Sequence, residues 1–245
     1  MSSQNKLILD LSESIISLSN FDTEKDFVAI SCEVNKKGEC FHSGLVICFN
    51  NELKYFHYTG IKVELITLDS SELLQNHLLF KITEIIHKSE VSSFLGHCEV
   101  LLERGVKPKY GFVFDGSYYD PVNQEHFLQN AQHDFTTCVG FCIKVIRGHL
   151  YNNDEYLSLK DWEEIPLEKL SQEVPGLVSH MENEIQRYIQ DSGTSRKELF
   201  ASKHIKRILP IEILCSAFFL KLPIRKQQIQ DQLPELQAEI SKRVA

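Results

Sequence analysis

Up to Leu68 the apolar positions recur with the short period of strands. Phe27-Val-Ala-Ile-Ser-Cys-Glu-Val34 is rich in apolar and β-branched residues and reads as a strand, with a turn at Lys36-Lys37-Gly38. His42 to Phe49 is a second apolar run, Asn50-Asn51 breaks it, and Leu53 to Tyr58 resumes with alternation. That is a hairpin, because asparagine tolerates the positive φ of a two-residue turn. A turn centred on Asn50-Asn51 pairs His42 near Thr59 and makes His57 its diagonal neighbour, roughly 7–8 Å away along the backbone. Lys62 to Leu68 continues as a third strand of the meander.

From Ser70 the period changes. Leu73, Leu74, Leu78, Leu79, Ile82, Ile85 and Ile86 recur at helical spacing, with Ser70 or Ser71 as cap, and predict a helix. A second helix, Val91 to Arg104, ends at Gly105; Tyr110 to Phe114 is a short strand closed by Asp115-Gly116. Residues 117–136 form a polar, aromatic-bearing loop with helical potential around Gln124 to Gln132. Cys138 to Arg147 is an apolar helix stopped by Gly148. Beyond Asn152-Asn153-Asp154-Glu155 the chain reads as helices over Gly176–Gln190, Arg196–Arg207, Ile211–Leu220 and Ile224–Val244, with Pro210 and Pro223 at helix boundaries. The pattern is α+β: an antiparallel sheet packed on helices over 1–150, and a helical C-terminal extension over 151–245 packing on or beside it.

Composition narrows the function. The 245 residues, with 42% hydrophobic and 24% charged, are those of an ordinary globular protein that needs no disulfide or structural metal for its core. A net charge of −8 opposes nucleic acid as a partner, because a phosphate backbone would be repelled. The seven cysteines are scattered and no signal-peptide pattern opens the chain, so free thiols and a cytoplasmic location are expected. No window is apolar enough to span a bilayer. The run Ile208 to Leu222, flanked by basic residues, reads first as a buried helix and secondarily as an interfacial membrane helix. From Arg196 onward basic residues outnumber acidic ones, which predicts an electrostatic clamp onto the body or a partner.

Three residues carry candidate chemistry together: His42 opening a strand, His57 near the end of the next, and Cys138 opening an apolar helix. A thiol at a helix N-terminus faces unpaired N–H groups that favour the thiolate and can hold an oxyanion. An imidazole facing the sulfur completes a thiolate–imidazolium pair, and a second polar group can fix its tautomer. Cys142, one turn on, is an ordinary buried thiol.

The stretch from His42-Ser-Gly-Leu-Val-Ile-Cys-Phe to Tyr-Phe-His57 resembles the histidine hairpin of NlpC-type thiol peptidases. Thr137-Cys138-Val-Gly-Phe141 resembles their nucleophile segment. The order, histidines before cysteine, is similar to the circularly permuted branch, which includes lecithin–retinol acyltransferase-like enzymes, permuted bacterial hydrolases and deSUMOylating isopeptidases. The resemblance covers two patches within Phe27 to Gly148. It implies a permuted papain-like fold and a cysteine hydrolase that cleaves an amide bond in a peptide or isopeptide. Cys138 would be nucleophile, His42 base and His57 orienting group, with no cofactor. The chain departs from the family at Thr137, where Asp is usual, and at Val139, where Ser is usual; the acyltransferase pattern Asn-Cys-Glu-His-Phe is absent. The alternatives are ester or thioester chemistry on lipids, and an inactive papain-like module that binds a protein partner.

The remaining candidates belong to the cleft. Tyr118 and Tyr119 in the long loop, and His133 shortly before the cysteine, are candidate substrate-binding residues, with Gln124, His126 and Asp134 nearby. No cluster has the four-ligand spacing of a structural zinc site, so no metal is expected. Trp162 is expected to pack the body against the tail.

Overall fold

The structure, a computed structural model, describes residues 14–17, 25–68, 77–123, 127–199 and 205–244. It is α+β. Six strands form an antiparallel sheet in the order β1-β6-β2-β3-β4-β5: β1 (Ile16–Ser17), β2 (Phe27–Val34), β3 (Cys40–Phe49), β4 (Glu52–Tyr58), β5 (Val63–Thr67) and β6 (His77–Ile82). The β3–β4 turn is the one that the sequence predicts, with Asn50 and Asn51 at φ of 50° and 65°. It sets Gly44 opposite His57 and Leu45 opposite Phe56.

Alternation divides the sheet residues between two clusters. Val28, Ile30, Cys32, Leu45, Ile47, Phe56 and Tyr58 belong to a large core shared with the helices. Phe27, Ala29, Val46, Cys48, Tyr55 and Phe80 form a smaller cluster on the other face. The large core is covered by α1 (Val91–Glu103), α2 (Cys138–His149) and α6 (Pro210–Ser216), and α7 (Lys226–Val244) packs on α6. The helices α3 (Leu167–Glu173), α4 (Pro175–Ser192) and the short α5 (Arg196–Leu199) lie between α2 and α6 in the chain. Core residues run from Ile15 to Ile240 in one cluster, so the tail helices share the core of the sheet.

Three predicted helical stretches need correction. Residues 77–82 of the helix expected from Ser70 are strand β6, paired with β1 and β2; Leu73 and Leu74 lie outside the described residues. In the long loop, Leu128–Gln129 (β9) pairs with Tyr118–Tyr119 (β8) where helical potential was read. Of the expected helix over Arg196–Arg207, only Arg196–Leu199 is helical among the described residues, and Ile205 instead bridges to Val113. The helix of Cys138 also runs on through Gly148 to His149.

The tail is fastened by specific groups. Trp162 is buried as expected, and its Nε1 donates to Glu212 Oε1 at 3.3 Å. Lys206 Nζ donates to the Trp162 carbonyl. Arg196 pairs with Glu182, Arg207 with Glu173 and Arg225 with Asp161. These basic residues therefore pair within the 151–245 extension rather than with the body as expected, and α6 is a buried helix. No helix is long and apolar enough to cross a membrane among the described residues.

Candidate active site

The segment before Cys138 is positioned by a short parallel pair, Lys109–Tyr110 (β7) with Phe135–Thr136 (β10). A buried polar network holds it: Lys144 Nζ donates to Asp134 Oδ1 at 2.8 Å and to the Phe135 carbonyl at 3.2 Å, and Tyr119 Oη donates to Asp134 Oδ2 at 3.0 Å. Thr137, extended at φ −96° and ψ 175°, then caps α2 by accepting the Gly140 N–H at 3.2 Å. The threonine thus supplies the side-chain cap of this helix. Gly140 is required by close approach, since a Cβ there would stand 2.4 Å from Thr136 Oγ1. Phe141 seats the helix on the sheet against Phe56 and Tyr58, at ring distances of 5.3 and 6.0 Å.

Cys138 is therefore the first residue of α2, half-buried, with its sulfur against the backbone N–H groups of Ser43 and Val139. Ser43 directly follows His42 in β3, but the strand alternates: the His42 and His57 rings share the sheet face of Val46 and Tyr55, and α2 packs on the other face, against Phe56 and Tyr58. The imidazoles also meet: His42 Nε2 and His57 Nδ1 are 2.9 Å apart. His57 stacks on Tyr55 at 4.3 Å, and the Tyr55 ring lies over Gly44, where a Cβ would come within 2.2 Å of it. The glycine of the hairpin motif thus makes room for the ring that supports His57.

Two carboxylates complete the cluster, and sequence reasoning missed both. Glu33 stands opposite His42 across the β2–β3 pair and accepts from Tyr55 Oη at 3.3 Å. Glu64 stands opposite His57 in β5, with Oε2 3.9 Å from His57 Nε2, and is paired with Lys62 at 2.6 Å. Their only signal is strand register, because a glutamate in a strand is otherwise unremarked.

Electrostatics depart from the expected ion pair. Burial holds His42 at a pKa of about 4, with a further push from His57. Burial likewise holds His57 at about 4, against the pull of Glu64. Both rings are neutral near pH 7. Burial pushes the Cys138 thiol up to about 11, outweighing the N–H groups that favour the thiolate. No hydrogen bond joins Cys138 to either imidazole among the described residues. The resting site holds a thiol and two neutral imidazoles.

The candidate cleft residues are otherwise engaged. Tyr119 is fully buried and belongs to the network that holds the segment before Cys138. Tyr118 lies under the Arg147 guanidinium at 5.1 Å, and His133 Nδ1 is 2.8 Å from Tyr188 Oη on α4. Gln124 and His126 lie outside the described residues. A surface cavity of about 470 Å³, lined by Asp115, Trp162, Glu164 and Lys206, contains none of the three candidate catalytic residues.

Comparison with protein-family models, with curated proteins and with solved structures returns no match.

Proposed function

We propose that the chain is a permuted papain-like cysteine hydrolase cleaving an amide bond in a peptide or protein substrate. Cys138 is its nucleophile, His42 its base and His57 its orienting group. What supports the reading is the residue set in its order: Cys138 opens α2 with its sulfur beside the backbone of Ser43, and the reaction requires His42, whose ring stands on the opposite sheet face with Nε2 engaged by His57, to reach that thiol. That leaves Nδ1 as the nitrogen able to take the thiol proton. The same requirement sets the tautomers: Nε2–H of His42 donates to His57 Nδ1, and Nε2–H of His57 points toward Glu64.

The steps follow. His42 Nδ1 takes the Cys138 proton as the sulfur attacks the carbonyl carbon, and N–H groups at the start of α2 face the oxyanion. Collapse breaks the C–N bond, and the proton on Nδ1 passes to the leaving amine. Water then gives a proton to Nδ1 and attacks the thioester, releasing the acid and the thiol. The imidazole is neutral and free to accept a proton, but with its pKa near 4 and the thiol near 11 the transfer requires substrate binding to bring the two values together.

Cys138→Ala is expected to lower turnover of a peptide or isopeptide substrate by about 10³-fold or more while leaving the circular dichroism spectrum unchanged. Full activity in that variant would end the assignment. His42→Ala is expected to cost more than His57→Ala. A second reading, a papain-like module that binds a protein partner without turnover, is favoured by the half-buried thiol pushed up to about 11 and by imidazoles that stand on the other sheet face. It predicts that wild type and Cys138→Ala capture the same partner and that neither turns over a substrate.

A further inference from the structure

Glu33, His42 and His57 each offer one ligand atom, and these three atoms lie within 4.8 Å of one another. They come from three adjacent strands, and register places them on one face: Glu33 directly opposite His42 across β2–β3, with His57 beyond Gly44 on β4. The hydrogen-bonded pair His42 Nε2 and His57 Nδ1, 2.9 Å apart, would need to spread only to the ~3.3–3.4 Å that separates two nitrogens on a tetrahedral ion at Zn–N distances of ~2.0–2.1 Å. Glu33 and His42 are half-exposed while His57 is buried, so the set is open on one side. The charge also suits a cation, since two carboxylates, Glu33 and Glu64, flank the rings. Lys62 Nζ pairs with Glu64 Oε1 at 2.6 Å.

We propose that Glu33, His42 Nε2 and His57 Nδ1 bind a divalent transition-metal ion of the zinc class through two imidazoles and one carboxylate, with water in the remaining positions. This ligand set is that of open zinc sites rather than of closed structural ones. The ion replaces the proton between the two rings, and that proton moves through solvent to His42 Nδ1, so that both imidazoles bind as neutral ligands. Resting on the hydrolase reading above, zinc then acts as an inhibitor: it occupies the nitrogens through which His57 orients His42.

The test uses the full chain stripped with EDTA and titrated with Co²⁺, read by visible absorption, and with Zn²⁺, read by calorimetry. Wild type is expected to bind one Zn²⁺ per chain and to give cobalt d–d absorption without a thiolate-to-cobalt charge-transfer band. Glu33→Gln and His57→Gln are each expected to weaken binding by about tenfold or more. Cys138→Ser is expected to bind as wild type. Binding unchanged in Glu33→Gln would overturn the proposal even if His57→Gln failed to fold. A charge-transfer band would also overturn it by moving the ion to thiols such as Cys138 or the Cys32–Cys40 pair, whose sulfurs are 3.2 Å apart. Binding is read without turnover, so an inactive protein that still binds zinc through Glu33 separates failure of the hydrolase reading from failure of this one.

Discussion

The protonation of Cys138 is decided by two opposed effects at one atom. The helix terminus and the N–H groups of Ser43 and Val139 favour the thiolate, while loss of solvent favours the thiol, and burial is the larger. Alkylation should report this directly. Peptide-resolved iodoacetamide labelling from pH 5 to 9 is expected to show Cys138 reacting slowly throughout, without the fast acidic-pH reaction of a preformed ion pair. Rapid labelling at pH 6 that disappears in His42→Ala would show a preformed thiolate–imidazolium pair and refute the neutral resting site. Of the residues concerned, the three legible in the sequence were those whose type is rare in its setting: two histidines at strand ends and a cysteine after a cap. Glu33 and Glu64 were illegible because polar residues are ordinary on a strand, and only the partner strand reveals that they face an imidazole.

Among elements, the meander β2–β5 was readable because its turn chemistry and alternation agree. Strand β6 was not. Leu78 and Leu79 are adjacent apolar residues that serve opposite faces, one in each cluster, so the segment has no clean two-residue period and fits a helix as well. Strands β8 and β9 have two residues each and are too short to show any period. Gly148 was read as a stop, but it is a packing position. A Cβ there would stand 1.9 Å from the Tyr119 carbonyl oxygen, a backbone atom that cannot swing away. Gly148→Ala is therefore expected to destabilise the protein by about 1–3 kcal/mol, read as a lower urea midpoint. An unchanged midpoint would mean that α2 does not press on β8 as the structure has it.

For the whole molecule, buried imidazoles tie stability to pH. His97 of α1, packed against His149 of α2, is held at about 4 chiefly by burial, as are His42 and His57. Their folded pKa values lie below the ordinary 6.5, so the unfolded chain binds more protons between about pH 4 and 6.5. The stability they contribute is fully present above pH 6.5 and is lost as pH falls toward 4. One such group shifted to about 4 costs about 2 kcal/mol between pH 7 and 5. The urea midpoint is expected to drop over that range, and to drop less in His97→Gln; equal slopes would show that His97 takes up no proton on unfolding. The tail, which sequence reading could only place on or beside the body, is part of the same core, because the helical pattern tells which face is apolar and not what it meets.

The contact between the last described helix and the sheet has a consequence for synthesis. Gln237 of α7 donates to the carbonyl of Gly38 in the β2–β3 turn at 3.0 Å, joining residues 199 positions apart in the chain. On the ribosome that turn emerges early and waits for most of the polypeptide before its partner exists. The turn is therefore covered only once α7 has emerged, and in nascent chains stopped before Lys226 Gly38 would lack the cover that Ser241 and Val244 give it.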